Sequence, residues 1–442
     1  MAQDSRGDIK EEVLQDKLNG ETGEGKTEVS DVGEEFEVLF TDSKRYYTVD
    51  KNGNIGEYKD IIEDKSPGNI TKDENGDTLN GSVDKPYEIW SIEDLVILSN
   101  MSRGKGNYIE NGEIVDISTR NIFSGKEINL MRDLNFNSKY SYADLSLTWS
   151  YDEEKNSYVV DENSTKNLKD LLTDRSGIGF VPISEKTGSG YLMFAGKLDG
   201  RNHEISNIYE NNTTVGGLFY TMYNATIKNL GLTNLDITSS GNACGITGVT
   251  SNSKFYNCYV SGTIRGKGVG GIVASAWVDI EIVNCCNLAT LESTGGVGGF
   301  INFRDIGGTT NIVNCYNLGK IVGGQYEGVH GIIANAYSTG TRNIINSCSL
   351  GTISRPGVNK SNNFYGASGG ATVKLEGCYY LDEIINEKVK ANEGSIAFSR
   401  NEQTILDNLN KYVNEHKNDY IDEGIELYNW KFDSNGLPTF KK

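Results

Sequence analysis

The chain has 442 residues, a length at which a single compact core gives way to several domains or to a repeat architecture. Its 52 glycines against 5 prolines, with abundant Asn, Ser, Thr and Tyr, favour short strands joined by tight turns over long helices. A net charge of -19 without a basic cluster argues against nucleic acid and anionic membranes as partners, and no apolar run approaches the ~18 residues of a membrane span.

The acidity is concentrated at the start: residues 1–66 carry 18 acidic and 9 basic side chains, whereas residues 213–380 carry 7 and 10. The opening MAQDSRGDIK is not a signal peptide, so the expectation is either a cytosolic location or a targeting segment absent from this chain. Within 1–66, Ile9, Val13, Leu14 and Leu18 fall on one face of a short amphipathic helix. Phe36, Val38 and Phe40 alternate as a strand, and Tyr46 to Val49 form another before the Asn52-Gly53 turn. Residues 67–84, rich in Gly, Asp and Asn, read as a linker.

From 213 to 380 the sequence repeats. The elements Val215-Gly-Gly-Leu218, Ala243-Cys-Gly-Ile246, Val269-Gly-Gly-Ile272, Val297-Gly-Gly-Phe300, Val329-His-Gly-Ile332 and Phe364-Tyr-Gly-Ala367 align. They place glycines at 217, 245, 271, 299, 331 and 366, a period of roughly 30 residues that signals a solenoid. A second column reads Leu230, Cys258, Cys285, Cys315, Cys348 and Cys378, and an apolar one reads Ile227, Phe255, Ile282, Ile312, Ile345 and Leu375. In-register parallel strands stack equivalent side chains, so these columns fill the interior of an all-β, right-handed parallel β-helix. The recurrent glycine marks a position of positive φ or of packing too close for a Cβ. Asn229, Asn257, Asn284 and Asn314 stack at the turn before each cysteine.

Stacked cysteines can bind metal or pair as disulfides, but no Cys-x-x-Cys and no nearby His completes a zinc site. The structural reading, a ladder of small buried free thiols, is preferred for Cys258, Cys285, Cys315, Cys348 and Cys378. At Cys285-Cys286 one thiol faces in and the other out.

The V-G-G-[LIF] element followed by I-x-N-C-Y-N-L-G, clearest from Ile312 to Gly319, resembles the GLUG-type repeats of bacterial surface and secreted proteins. Upstream, KPYEIWSIEDLVILSN, INLMRDLNF and FAGKLDGRNHEISNI are similar to the leading coils of such proteins, so the resemblance covers Lys85 to Tyr380. It implies leading coils over 85–212, interrupted by an insertion at 137–192, and repeats over 213–380. The helix and small sheet of residues 1–66, with YYTVDKNGNI near their end, are weakly similar to the soluble part of pilin-like proteins.

Residues 381–442 read as a C-terminal cap. Ser399-Arg-Asn-Glu402 is a capping box, and Ile405, Leu406, Leu409, Tyr412 and Val413 share one helical face, which would cover the open end of the stack.

A catalytic motif is not evident. The three histidines, His203, His330 and His416, form no zincin spacing, and His330 reads as a tolerated turn residue. Asp50-Lys-Asn-Gly-Asn54 and Asp73-Glu-Asn-Gly-Asp77 lack the Gly and distal Glu of an EF-hand and read as turns. The carboxylates of the repeat zone share no obvious column, and no cofactor or metal is implied. The expectation is a non-enzymatic bacterial cell-surface or secreted protein, an adhesin, ligand-binding module or appendage subunit. The alternatives are an extracellular polysaccharide lyase or glycoside hydrolase, and an intracellular scaffold. Alternation about the cysteine column puts Tyr259, Tyr316 and Tyr379 on one outer face, with Cys286 and Ser349 between them, where an extended glycan could stack.

Overall fold

The structure, a computed structural model, describes residues 27–31, 35–40, 45–50, 55–60 and 69–441, apart from 74, 188–189, 305–306, 325–327, 337–338, 357–360 and 368–369. The amphipathic helix expected over Ile9 to Leu18 lies outside the described residues. The expected strands are present as Glu35–Phe40 and Arg45–Asp50, flanked by Thr27–Asp31 and Ile55–Asp60 in a four-stranded antiparallel meander.

The rest of the chain winds into a parallel β-solenoid. Nine strands, from Tyr87–Ile89 to Ala371–Glu376, form one continuous parallel sheet, and six, from Phe219–Tyr223 to Tyr365–Ala367, form another. A third, more broken set of strands runs along the remaining side, from Leu134–Asn135 and Glu204–Ser206 through Tyr259–Gly266 to Ser395–Phe398. Stacking puts like on like. Ile227, Phe255, Ile282 and Ile312 pair in register, and each is fully buried.

Three sequence alignments slip in the last coils. Ile312 pairs with Ile344, not Ile345, and Tyr316 pairs with Cys348. The interior position after Cys315 is therefore Ser347, and Cys348 lies in the outward column. The step here is 32 residues, the same as between Val297 and Val329, and matching cysteine to cysteine overrode that spacing. Ser347 serves because it repeats the thiol's bonding: its Oγ donates to the Ile345 carbonyl (2.7 Å) and accepts from Cys315 N–H (3.1 Å). Cys315 Sγ likewise bonds the Val313 carbonyl (3.2 Å) and accepts from Cys285 N–H (3.3 Å).

In the sixth copy His330 pairs with Asn362, so Ser361-Asn-Asn363 replaces the V-x-G element and Gly366 belongs elsewhere. In the first copy Ala243 faces Gly216 rather than Val215. Val215 is buried but stands outside the interior column formed by Val269, Val297 and Val329.

Close approach explains the recurrent glycines, with a positive φ of 140° added at Gly217. A Cβ on Gly271 or Gly299 would stand 2.1 Å from the carbonyl oxygen of the next coil's glycine. Left-handed backbone is supplied instead by asparagine: Asn229, Asn257, Asn284, Asn314 and Asn346 have φ between 46° and 55°. Their amides form a continuous ladder, Asn346 to Asn314 to Asn284 to Asn257 to Asn229, with N–O distances of 2.7–2.8 Å, ending on Asp199 at 2.9 Å.

Both ends of the solenoid segment carry helices packed against the coils. KPYEIWSIEDLVILSN is one short strand followed by helix α1 (Ile92–Arg103), whose Ser91 and Asp94 form a capping box. Its Leu95, Val96 and Leu98 join the interior cluster, and Ser99 Oγ bonds the Val181 and Pro182 carbonyls. The insertion contributes a hairpin (Trp149–Asp152 with Ser157–Val160), helix α2 (Leu168–Thr173) and a second hairpin.

The C-terminal helix α3 (Gln403–His416) starts later than expected. Glu402 accepts from Ser399 N–H, but Ser399 Oγ turns to Asp382, so the capping box is half formed. Nor does α3 cover the open end. Ile405, Leu409 and Val413 pack with Tyr256, Val283, Val313, Cys348 and Tyr379, which belong to successive coils, so the C-terminal segment straps the flank.

Candidate functional site

The Tyr column exists as a column. Strand register runs Tyr259, Cys286, Tyr316, Cys348, Tyr379, with Cys348 rather than Ser349 between the last two tyrosines. Its expected exposure is not observed. Tyr316 is only 7% exposed and Tyr379 4%. The Tyr316 ring meets Phe440 edge-on at 4.9 Å and Trp430 at 5.8 Å, and Tyr379 is hydrogen-bonded by Asn408 of α3. Tyr259 is half-buried, and its hydroxyl donates to Glu204. The physical reason is that a row of outward aromatics is itself a hydrophobic seam, and the chain's own C-terminal strap covers it.

All seven cysteines are buried, and none is bonded to another. Cys285 joins the interior cluster while Cys286 lies in the cluster beneath the strap, as in-and-out alternation requires. Burial pushes the Cys285, Cys315 and Cys378 thiols up, Cys378 to about 12, which keeps them protonated and unreactive. His330 is a strand residue, not a turn residue. Its Nδ1 accepts from Asn362 N–H at 2.9 Å, and burial, helped by Arg355, pushes its pKa down to about 3. Asp73 forms a turn, its carboxylate accepting from the N–H groups of Asn75 and Asp77.

The open face lies on the third strand set. There the outward positions Thr238, Arg265, Glu292 and Val322 stand in register on four successive coils. With Ser239, Ser240, Lys267, Ser293 and Thr294 they line a groove of about 690 Å³. Arg265 Nη1 lies 3.0 Å from Asp236 and its Nε 3.2 Å from Glu292, and Asp236 also meets Arg175 at 2.6 Å. All these side chains are close to half exposed, where an ion pair contributes about 1 kcal/mol or less. Such pairs add little to folding and can exchange partners with a ligand at small cost. Among the neighbouring hydroxyl residues Ser240 and Thr294 are exposed, and so is the Lys267 cation.

Sequence reading sought carboxylates sharing one column and so missed this group. The signal was opposite charge close to the coil period: Arg265 and Glu292 are 27 residues apart and share a column, and Asp236 stands one outward position before that column on the preceding coil. Among the described residues, no three His, Cys, Asp or Glu gather in the manner of a metal site.

No protein-family model matches the chain. Over 202 residues it is 27% identical to halomucin of Haloquadratum walsbyi, a match covering 45% of this chain and 2% of that much longer protein. A crystal structure from Bacteroides ovatus, of a protein provisionally assigned as an immunoglobulin A1 protease, overlays 83% of this chain and 95% of that one. The TM-score is 0.49 and the identity 18%.

Proposed function

We infer that this chain is a non-enzymatic β-solenoid of the cell surface or of the secreted fraction, which binds an extended ligand, a glycan above all, on its open side. The observation that carries this reading is the groove spanning four coils, lined by hydroxyls and weakly held ions on a rigid parallel scaffold. Coils spaced about 4.8 Å apart offer repeated hydrogen-bonding groups at a regular interval, which suits a polymer better than a compact metabolite. The sequence resemblance to GLUG-type repeats, and the weaker one to pilin-like proteins, favour an exported location, and the partial likeness to halomucin is compatible with it. A glycan array probed with the wild-type protein and with Arg265→Ala/Lys267→Ala tests the binding half. Surface labelling of cells carrying the native gene tests the location.

A second reading rests on Asp236 and Glu292 meeting at Arg265, since carboxylates beside a cation also serve glycan-cleaving sites. Both carboxylates are committed to the guanidinium, an arrangement suited to holding polar groups rather than moving protons. Release of reducing ends from a polysaccharide panel, lost in Glu292→Gln, would favour this second reading.

A further inference from the structure

The insertion and the first coils enclose a second space, separate from the groove. It is a cleft of about 280 Å³ lined by Tyr151, Asn156, Ser184, Glu185, Asn211 and Tyr220, over an apolar floor that includes Val181, Pro182 and Val215. We propose that this cleft binds a single pyranose ring, such as the terminal residue of a glycan, independently of the groove.

The walls are fixed before any ligand arrives. Arg103, buried at the end of α1, donates from Nε to the Ser99 carbonyl at 3.1 Å and from Nη2 to Asn100 Oδ1 at 2.9 Å. Its Nη1 donates to the Asn156 carbonyl. Asn100 Nδ2 donates to the Tyr158 carbonyl at 2.8 Å, which clamps the insertion hairpin onto α1. On that hairpin the Tyr151 hydroxyl donates to Asn156 Oδ1 at 2.6 Å, and its ring leans on Tyr158 with centroids 5.4 Å apart.

The polar end is equally constrained. Ser184 sits at φ 70°, a conformation that costs a residue with a side chain about 1–3 kcal/mol and so has to be imposed by its surroundings. Three bonds impose it: its N–H donates to Ser102 Oγ at 2.7 Å, and its Oγ both accepts from Thr221 N–H and donates to the Thr221 carbonyl. The strained residue places Glu185, only 8% exposed, against the cleft, where the Lys105 ammonium holds both carboxylate oxygens at 2.9 Å. A buried carboxylate fixed in place by a lysine ammonium is an oriented acceptor for ligand hydroxyls.

This combination selects the ligand class. Tyr151 and Tyr220 are half-buried and offer apolar ring faces, the floor is aliphatic, and Asn156, Asn211, the exposed Thr214 and Glu185 supply amide, hydroxyl and carboxylate partners. A pyranose has just this division, apolar C–H faces and a rim of hydroxyls, whereas a phosphate, despite Lys186 in the lining, has no face for the rings and floor and would meet the Glu185 carboxylate, and a flat heteroaromatic lacks the rim of hydroxyls. The volume, near the lower limit for small-molecule pockets, admits one ring rather than a chain.

The test is titration of the full chain with a panel of neutral and N-acetylated monosaccharides, read by saturation-transfer NMR. The same titration is made with Tyr220→Ala, whose side chain is half-exposed, and with Arg265→Ala/Lys267→Ala. At least one sugar should bind at millimolar concentration, with affinity falling tenfold or more in Tyr220→Ala and unchanged in the groove variant. Melting temperatures check that each variant folds, and Glu185→Gln gives a second, isosteric probe of the cleft. Binding by no sugar, or binding insensitive to both Tyr220→Ala and Glu185→Gln, overturns the proposal and leaves the groove reading untouched.

Discussion

The indole N–H of Trp430 donates to Oδ1 of Asn314 at 2.7 Å, so the C-terminal strap is bonded into the amide ladder of the solenoid. Neighbouring bonds repeat the pattern: Asn284 Nδ2 donates to the Glu426 carbonyl, Asn314 Nδ2 to that of Tyr428, and Asn346 Nδ2 to that of Leu409. Asn284, Asn314 and Asn346 thus each use one amide hydrogen towards the preceding coil and the other towards the strap. The strap in turn keeps Tyr316 and Tyr379 out of water.

Trp430→Ala should therefore loosen the strap while the coils persist. Removing a buried Trp costs about 3–5 kcal/mol, and the loss should appear as increased hydrogen exchange over 420–440 and around Tyr316, with protection of the interior strands retained. Trp430→Phe removes the bond but keeps most of the ring, and should cost about 1 kcal/mol.

The interior column tolerates Ser at 347, so Cys315→Ser should cost about 1 kcal/mol, because the hydroxyl can repeat the thiol's bonds. Cys315→Leu overpacks the same site and should cost about 1–3 kcal/mol. Denaturant melts of the two variants would separate them. With intact protein, a thiol reagent should find almost no reactive cysteine, and seven after denaturation without reductant.

The periodic part of the fold was legible in the sequence because Ile227, Phe255, Ile282 and Ile312 repeat both spacing and residue type. The last coils were not, because there a Ser stands where three preceding coils carry Cys, and Ser361-Asn-Asn363 replaces V-x-G; chemical identity and spacing point to different registers. The outward column was legible as a column, but its burial depends on Trp430 and Phe440, more than a hundred residues beyond Tyr316, and no local pattern reports that contact. The groove went unseen because its members are of opposite charge and only the coil period relates them.

Two buried groups give opposite pH dependence. Glu93, in the first turn of α1, accepts from Ala143 and Asp144 N–H groups of the insertion, and burial raises its pKa to about 7. Its contribution is fully present below its ordinary value of 4.5 and is lost as pH rises through 7, a swing on the order of 3 kcal/mol. Glu93→Gln should accordingly gain stability relative to wild type between pH 5 and pH 8. His330, depressed to about 3, contributes stability that is present above 6.5 and lost as pH falls towards 3. His330→Asn should thus gain relative to wild type on acidification from pH 7 to pH 4. Melting temperatures across that range check both signs.

Gly299→Ala should be severely destabilising although its backbone is ordinary, because the new methyl meets the Gly331 carbonyl oxygen at 2.1 Å. A loss of about 3 kcal/mol or more is expected, against a much smaller one for Gly112→Ala, where nothing lies within 4 Å and only the positive φ of 81° opposes the change.

The central claim, that ligand is bound on the open groove and not on the covered Tyr column, is tested most directly by one glycan-array comparison of three proteins. Wild type and Tyr259→Ala should bind the same glycans with similar intensity, and Arg265→Ala/Lys267→Ala should lose at least tenfold. Binding that survives in the groove variant and disappears in Tyr259→Ala, or an array on which wild type binds nothing, would contradict it.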